Sequence, residues 1–190
     1  MALPPATLAE QLIGFASSPP AWDQVQTTAL ELANALRSKG PGISTNSLSH
    51  FLNTVPLTQY HTPDDVHTTI GQTDLPTALT NLLSAASESS GGDIPSDSAA
   101  PATFEVLRVA ANVVMDHGMF ISFQWNPSSS QTPSSDGNRQ RLLDAGIINP
   151  LLSVLQGYAK DTDALRAIIH LRVAKTLIGV LLNLSLGYRK

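Results

Sequence analysis

Cysteine is missing from all 190 positions, which removes disulfides, thiolate catalysis and Cys-based zinc sites, and agrees with a reducing compartment. Aromatic residues make up only 5% of the chain, so a core has to be assembled from aliphatic side chains. A basic excess is also missing: the formal charge is −4 and no Lys/Arg cluster interrupts the sequence. Nothing here would condense on a phosphate backbone or an anionic bilayer, and nucleic acid is excluded as the expected partner. The N-terminal MALPPATLAEQLIG carries neither a positive leader segment nor a sustained apolar run. The most apolar stretch, Leu177 to Leu186, is about half of the roughly 20 residues that a bilayer span requires. These absences predict a soluble, cytoplasmic protein without membrane insertion.

Catalytic vocabulary is equally sparse. The chain has no phosphate loop, no nucleophile elbow and no paired carboxylates, so neither an enzyme nor a cofactor is expected. His61 and His67 flank Asp64 and Asp65, yet without a matching ligand pair they read as a solvated helix start, not a metal site. Asp116 and His117 are sequence neighbours that point apart on a helix and make no acid–base dyad. Asn183-Leu184-Ser185 fits the glycosylation pattern by accident, since it lies in an apolar helix.

What the sequence does contain is helical periodicity, and no strand-like alternation of useful length. Thr7 and Glu10 are spaced as a capping box for a first helix that SSPP stops near Ser17. A second helix runs from Trp22 to Ser38, with Val25, Ala29, Leu32, Ala33 and Leu36 on one side and Gly40-Pro41-Gly42 as its terminator. Ser44 to Val55 reads as a shorter helix. Thr62-Pro63-Asp64-Asp65 starts another that reaches Ile70, and Asp74 introduces LPTALTNLLSAAS. The polar run from Ser87 to Pro101 is expected to be a mobile loop. Helix returns from Ala102 to His117.

A repeat emerges from this order. Short, medium and long helices follow one another over Asp64–Ile70, LPTALTNLLSA and TFEVLRVAANVVMDH, and again over Asn138–Asp144, IINPLLSVLQ and LRVAKTLIGVLLNLSL. Each trio is too apolar on one side to stand alone and needs a stacked neighbour. The long helices share a local pattern ending in Asn112 and Asn183, and Leu30-Glu31-Leu32-Ala33-Asn34 is a fainter third.

Asn138-Arg139-Gln140, Leu143-Asp144-Ala145-Gly146-Ile147, Pro150-Leu151-Leu152 and Leu181-Leu182-Asn183-Leu184 together resemble an armadillo repeat. The likeness is clearest over 138–187, weaker over 64–117 and faint before that. The texture of residues 173–188 and 108–112 is most similar to the N-terminal region of fungal-type GDP-dissociation stimulators of small GTPases. The resemblance implies an all-α, right-handed α–α superhelix, an armadillo-like solenoid of two repeats and an N-terminal helical cap. It also implies binding of a small GTPase with a basic, lipid-modified C-terminal tail, and stimulated GDP release without catalytic side chains. The alternative is a general adaptor or structural fragment with no exchange activity. In this family third helices line a concave groove, which carries over to Arg108, Asn112 and Asp116 in one long helix and Lys175, Gly179 and Asn183 in the other. Nuclear-signal readers of the importin type carry Trp where this chain has Arg108 and Gly179, a departure that argues against such cargo. A mid-helix Asn has a plainer role open to it, bonding a neighbouring turn.

The expected organisation is therefore a helical cap or degenerate repeat over 1–62, one repeat over 63–117, a disordered insert or retained intron over 118–137 and a second repeat over 138–190, where the stack is cut short. The insert GMFISFQWNPSSSQTPSSDG is too long for a repeat junction. Its Phe120, Phe123 and Trp125 would suit a docking loop, but Gly118-Met119-Phe120 is also compatible with an encoded GTATGT intron donor, and a retained intron over Met119–Asp136 is the favoured reading. One continuous core is expected to hold Leu142, Leu143, Leu151, Leu152, Leu155, Val173, Leu177, Val180, Leu181 and Leu184. With no polar capping repeat after Leu186, an apolar flank should lie open at the C-terminal end and promote self-association.

Overall fold

The computed structural model describes residues 3–17, 21–38, 66–88, 94–114 and 134–185. Among them every regular element is helical: α1 Pro5–Phe15, α2 Trp22–Ser38, α3 Val66–Gly71, α4 Leu75–Glu88, α5 Ala100–Val114, α6 Ser134–Asp144, α7 Ile148–Lys160 and α8 Ile168–Ser185, with a 3-10 turn at Ala164–Arg166 before the last. The all-α expectation holds. The helix expected over 44–55, the Thr62–Asp65 start, Asp116, His117 and most of the 118–137 insert fall outside the described residues.

Local chemistry explains most of the boundaries. α2 buries Val25, Ala29, Leu32, Ala33 and Leu36 completely, the stripe expected from their spacing. It carries Asp23 in its first turn and Arg37 in its last, each matched to the helix dipole. The break between α6 and α7 is a Schellman turn: Gly146 adopts φ +78°, its N–H donates to the Leu143 carbonyl, and the Ile147 N–H donates to the Leu142 carbonyl. Before α4, the Thr73 hydroxyl donates to the Ile70 carbonyl at 2.6 Å and accepts the Leu75 N–H at 3.3 Å, joining the end of α3 to the start of α4.

Four expectations need correction. α1 starts at Pro5, with Pro4 as its cap and no side-chain capping bond; Thr7 thus sits inside the first turn, and the proline's pre-set φ, not a Thr7–Glu10 box, opens the helix. The polar run is not wholly a loop. α4 extends to Glu88, and Pro95, Ala99 and Ala100 are buried, because Ser96 accepts the Ala99 and Ala100 N–H groups and begins α5. Leu152 is 41% exposed, since Leu151, Val154 and Tyr158 define the inner line of α7 and Leu152 falls one residue off it. Residues 134–137 form the first turn of α6, so that helix begins within the segment read as an insert.

The helices pack in rows. α2 lies along α5 and α5 along α8; α1 packs on α4 and α4 on α7; α3 packs on α6. Their buried side chains form a single apolar cluster from Leu8 to Leu184. Leu142, Leu151, Val173, Leu177, Val180 and Leu184 lie within it, while Leu143, Leu155 and Leu181 pack against its edge. The N-terminal α1–α2 pair is thus continuous with the rest of the core. Polar side chains also tie the rows together. Asn138, 3% exposed, donates its amide to the Val113 carbonyl at 3.4 Å. Arg141 donates to the Gly71 carbonyl at 3.3 Å, and Arg139 Nε donates to the Asn183 carbonyl at 3.2 Å.

Candidate partner-binding face

The long helices α2, α5 and α8 carry Asn34, Asn112 and Asn183 in their C-terminal parts, and α5 lies between the other two. On α5, Arg108 forks: one nitrogen meets Glu105 Oε2 at 2.6 Å and another meets Asn34 Oδ1 at 3.0 Å. Its guanidinium carbon also lies 5.8 Å from the centre of the Phe104 ring, a range in which the cation and the ring face attract. Asn112 Nδ2 donates to the Ala33 carbonyl at 2.9 Å. The two described candidates on α5, Arg108 and Asn112, therefore reach α2, and at least one amide proton of Asn112 serves a neighbouring helix.

Lys175, Gly179 and Asn183 occupy a different environment. They follow one another at four-residue spacing on the side of α8 away from its buried line Val173, Leu177, Val180 and Leu184. Lys175 is exposed and Gly179 and Asn183 are half-buried; a side chain added at Gly179 would meet open space. The α8 trio is the part of the candidate face that stands open. Arg172 joins it as an exposed cation, and α8 has no carboxylate anywhere along its length. Neither Arg172 nor Lys175 has a charged partner among the described residues.

The sequence reading missed two groups. Asn34 and Glu105 complete the Arg108 fork, and the fainter repeat at Leu30–Asn34 was the available signal for the first. The second is a relay behind α8, where Tyr158 Oη lies 2.9 Å from His170 Nδ1 and His170 Nε2 lies 2.9 Å from Asp97 Oδ1. Tyr158 and His170 are buried, while the Asp97 side chain is almost fully exposed. Burial pushes the Tyr158 phenol well above its ordinary value of 10.0, so it remains a proton donor. Tyr158 can donate to Nδ1, and in that tautomer the His170 Nε2–H donates to the Asp97 carboxylate. The relay clamps the 94–99 turn against α7 and α8; no sequence spacing could reveal it.

His170 also walls an open hollow of about 410 Å³ with Asp97, Asp161 and Asp163. Among the described residues no group of three or more His, Asp or Glu side chains is arranged to hold a metal ion; His61, Asp64, Asp65 and the His67 side chain lie outside them. α8 is longer than its apolar run: its 18 residues have a mean hydropathy of 1.4, long and apolar enough to cross a membrane by length and composition alone. In this fold a third of that stretch is buried, against the core. No protein-family profile, curated protein or solved structure matches the chain.

Proposed function

We propose that the chain is a protein-binding scaffold of the armadillo type, in which helix trios α3–α4–α5 and α6–α7–α8 stack as a right-handed superhelix on α1–α2. The observation that carries this reading is the row α2–α5–α8. Three long helices lie side by side, each with an Asn near the same point, and the last presents Lys175, Gly179 and Asn183 to solvent. A partner backbone laid across α8 would meet an amide able both to donate and to accept, beside a Gly that permits close approach.

The narrower reading, in which the partner is a small GTPase whose GDP release is stimulated, comes from the sequence resemblance. Exposed charge on α8 favours a second reading, a general adaptor without exchange activity: Arg172 and Lys175 would repel a basic lipidated tail at that face. Release of a fluorescent GDP analogue from small GTPases, with and without their C-terminal tails, decides between them. Acceleration that is lost in Asn183→Ala supports the exchange reading. Capture of a protein partner through the α8 face, without any change in nucleotide release, supports the adaptor. A chain that binds no protein, or binds equally well with Asn183→Ala and Lys175→Ala in place, defeats the scaffold reading.

A further inference from the structure

We infer that α8 has a second docking surface beside its polar line: a coiled-coil seam built to take an acidic amphipathic helix from a partner protein. Ile168, Leu171, Lys175, Ile178 and Leu182 recur at alternating three- and four-residue steps, the spacing that keeps one edge of a helix facing another helix. The apolar members stand in solvent, with Ile168 72% exposed, Leu182 56%, Ile178 45% and Leu171 37%. They are separate from the residues α8 buries against α5, so the core does not consume them.

The central residue identifies the occupant. Lys175 sits midway between Ile168 and Leu182, and both it and Arg172 lack a charged partner among the described residues. A second copy of the chain, paired in register or antiparallel about this midpoint, would set Lys175 against Lys175 inside an apolar contact, where like charges are costly. A membrane surface would favour cations at the edges of an apolar stripe over one at its centre. A helix with apolar residues at its own seam positions and a carboxylate opposite Lys175 satisfies both the stripe and the charge. α8, about 27 Å long at 1.5 Å per residue, offers such a helix between two and three heptads.

This inference rests on the exposed apolar residues of α8 and shares only Lys175 with the groove reading, which Asn183→Ala tests by itself. The probe is a labelled helical peptide of about three heptads, with Leu at its seam positions and Glu placed to face Lys175, compared with a twin carrying Lys there. Fluorescence anisotropy with the full chain should give the Glu peptide at least about tenfold tighter binding. The preference should reverse in Lys175→Glu, and Ile178→Ser/Leu182→Ser should bind neither peptide while keeping its helical circular dichroism and melting temperature, because both residues are exposed. Asn183→Ala, which tests the groove, should leave peptide binding unchanged. Equal binding of the twins overturns the inference, as does binding that survives the double serine variant. So does a wild-type dimer that the double variant dissolves, or adsorption to phosphatidylserine vesicles that displaces the peptide.

Discussion

At the scale of single residues, glycines that look alike in the sequence differ sharply in what surrounds them. A methyl group on Gly71 would overlap the side-chain amide of the buried Asn138. Gly71→Ala should therefore cost about 1–3 kcal/mol, the range for overfilling a packed interior, read from urea midpoints. Gly146→Ala has free space but an unfavourable φ, and should cost roughly 1 kcal/mol. A loss at Gly71 no larger than at Gly146 would show that Asn138 moves aside freely. Tyr158 provides a pH signature. Below pH 10 both folded and unfolded chains keep the phenol proton; above it only the unfolded chain releases it, because burial has raised the folded value. Stability contributed by Tyr158 is thus intact up to that point and falls as pH rises further. Tyr158→Phe should flatten this alkaline fall in melting temperature, while losing about 1 kcal/mol at neutral pH with the bond to His170. Parallel alkaline curves for the two proteins would exclude Tyr158 as the source.

At the scale of helices, the legible features were those encoded within one or two turns. Gly146 marks its turn through backbone geometry that few other residues tolerate, and α2 announces its buried side through five apolar residues at helical spacing. Leu152 shows the limit of composition: beside Leu151 it looks equally apolar, but a one-residue step is about a quarter-turn and carries it outside. Pairings between distant segments left no such trace. Asn112 was singled out as a groove residue because of its place in the long helix, yet the Ala33 carbonyl that it reaches is brought close only by the packing of α5 on α2. Asn112→Ala should accordingly lower stability by about 1 kcal/mol, an effect absent if the amide faced only a partner. Gly179→Ala should act in the opposite direction. Its added methyl enters open space and removes the entropic penalty of a mid-helix glycine, raising stability by about 0.5–1 kcal/mol. If a partner backbone approaches there, the same substitution weakens binding; a variant both more stable and equally good at binding would move the contact elsewhere along α8.

At the scale of the whole molecule, the apolar cluster runs without interruption from Leu8 to Leu184, joining the N-terminal helices to those that follow. Small side chains explain why the join was hard to foresee. Ala29 and Ala33 on α2 and Ala102 and Ala110 on α5 are all fully buried, allowing close helix approach without a conspicuous apolar run. One cooperative unfolding transition is expected. With Trp125 replaced by Phe, fluorescence of Trp22, packed at the edge of the core through α2, should follow far-ultraviolet circular dichroism across urea. A fluorescence transition preceding the helical one would mark α1–α2 as an independent unit. The overlap at Gly71 and Asn138 adds a genetic consequence. These positions share one small volume between α3 and α6, so damage from enlarging the first should be repaired by shrinking the second. A selection for suppressors of Gly71→Ala should return changes at codon 138, an allele-specific signature that general stabilising mutations would lack.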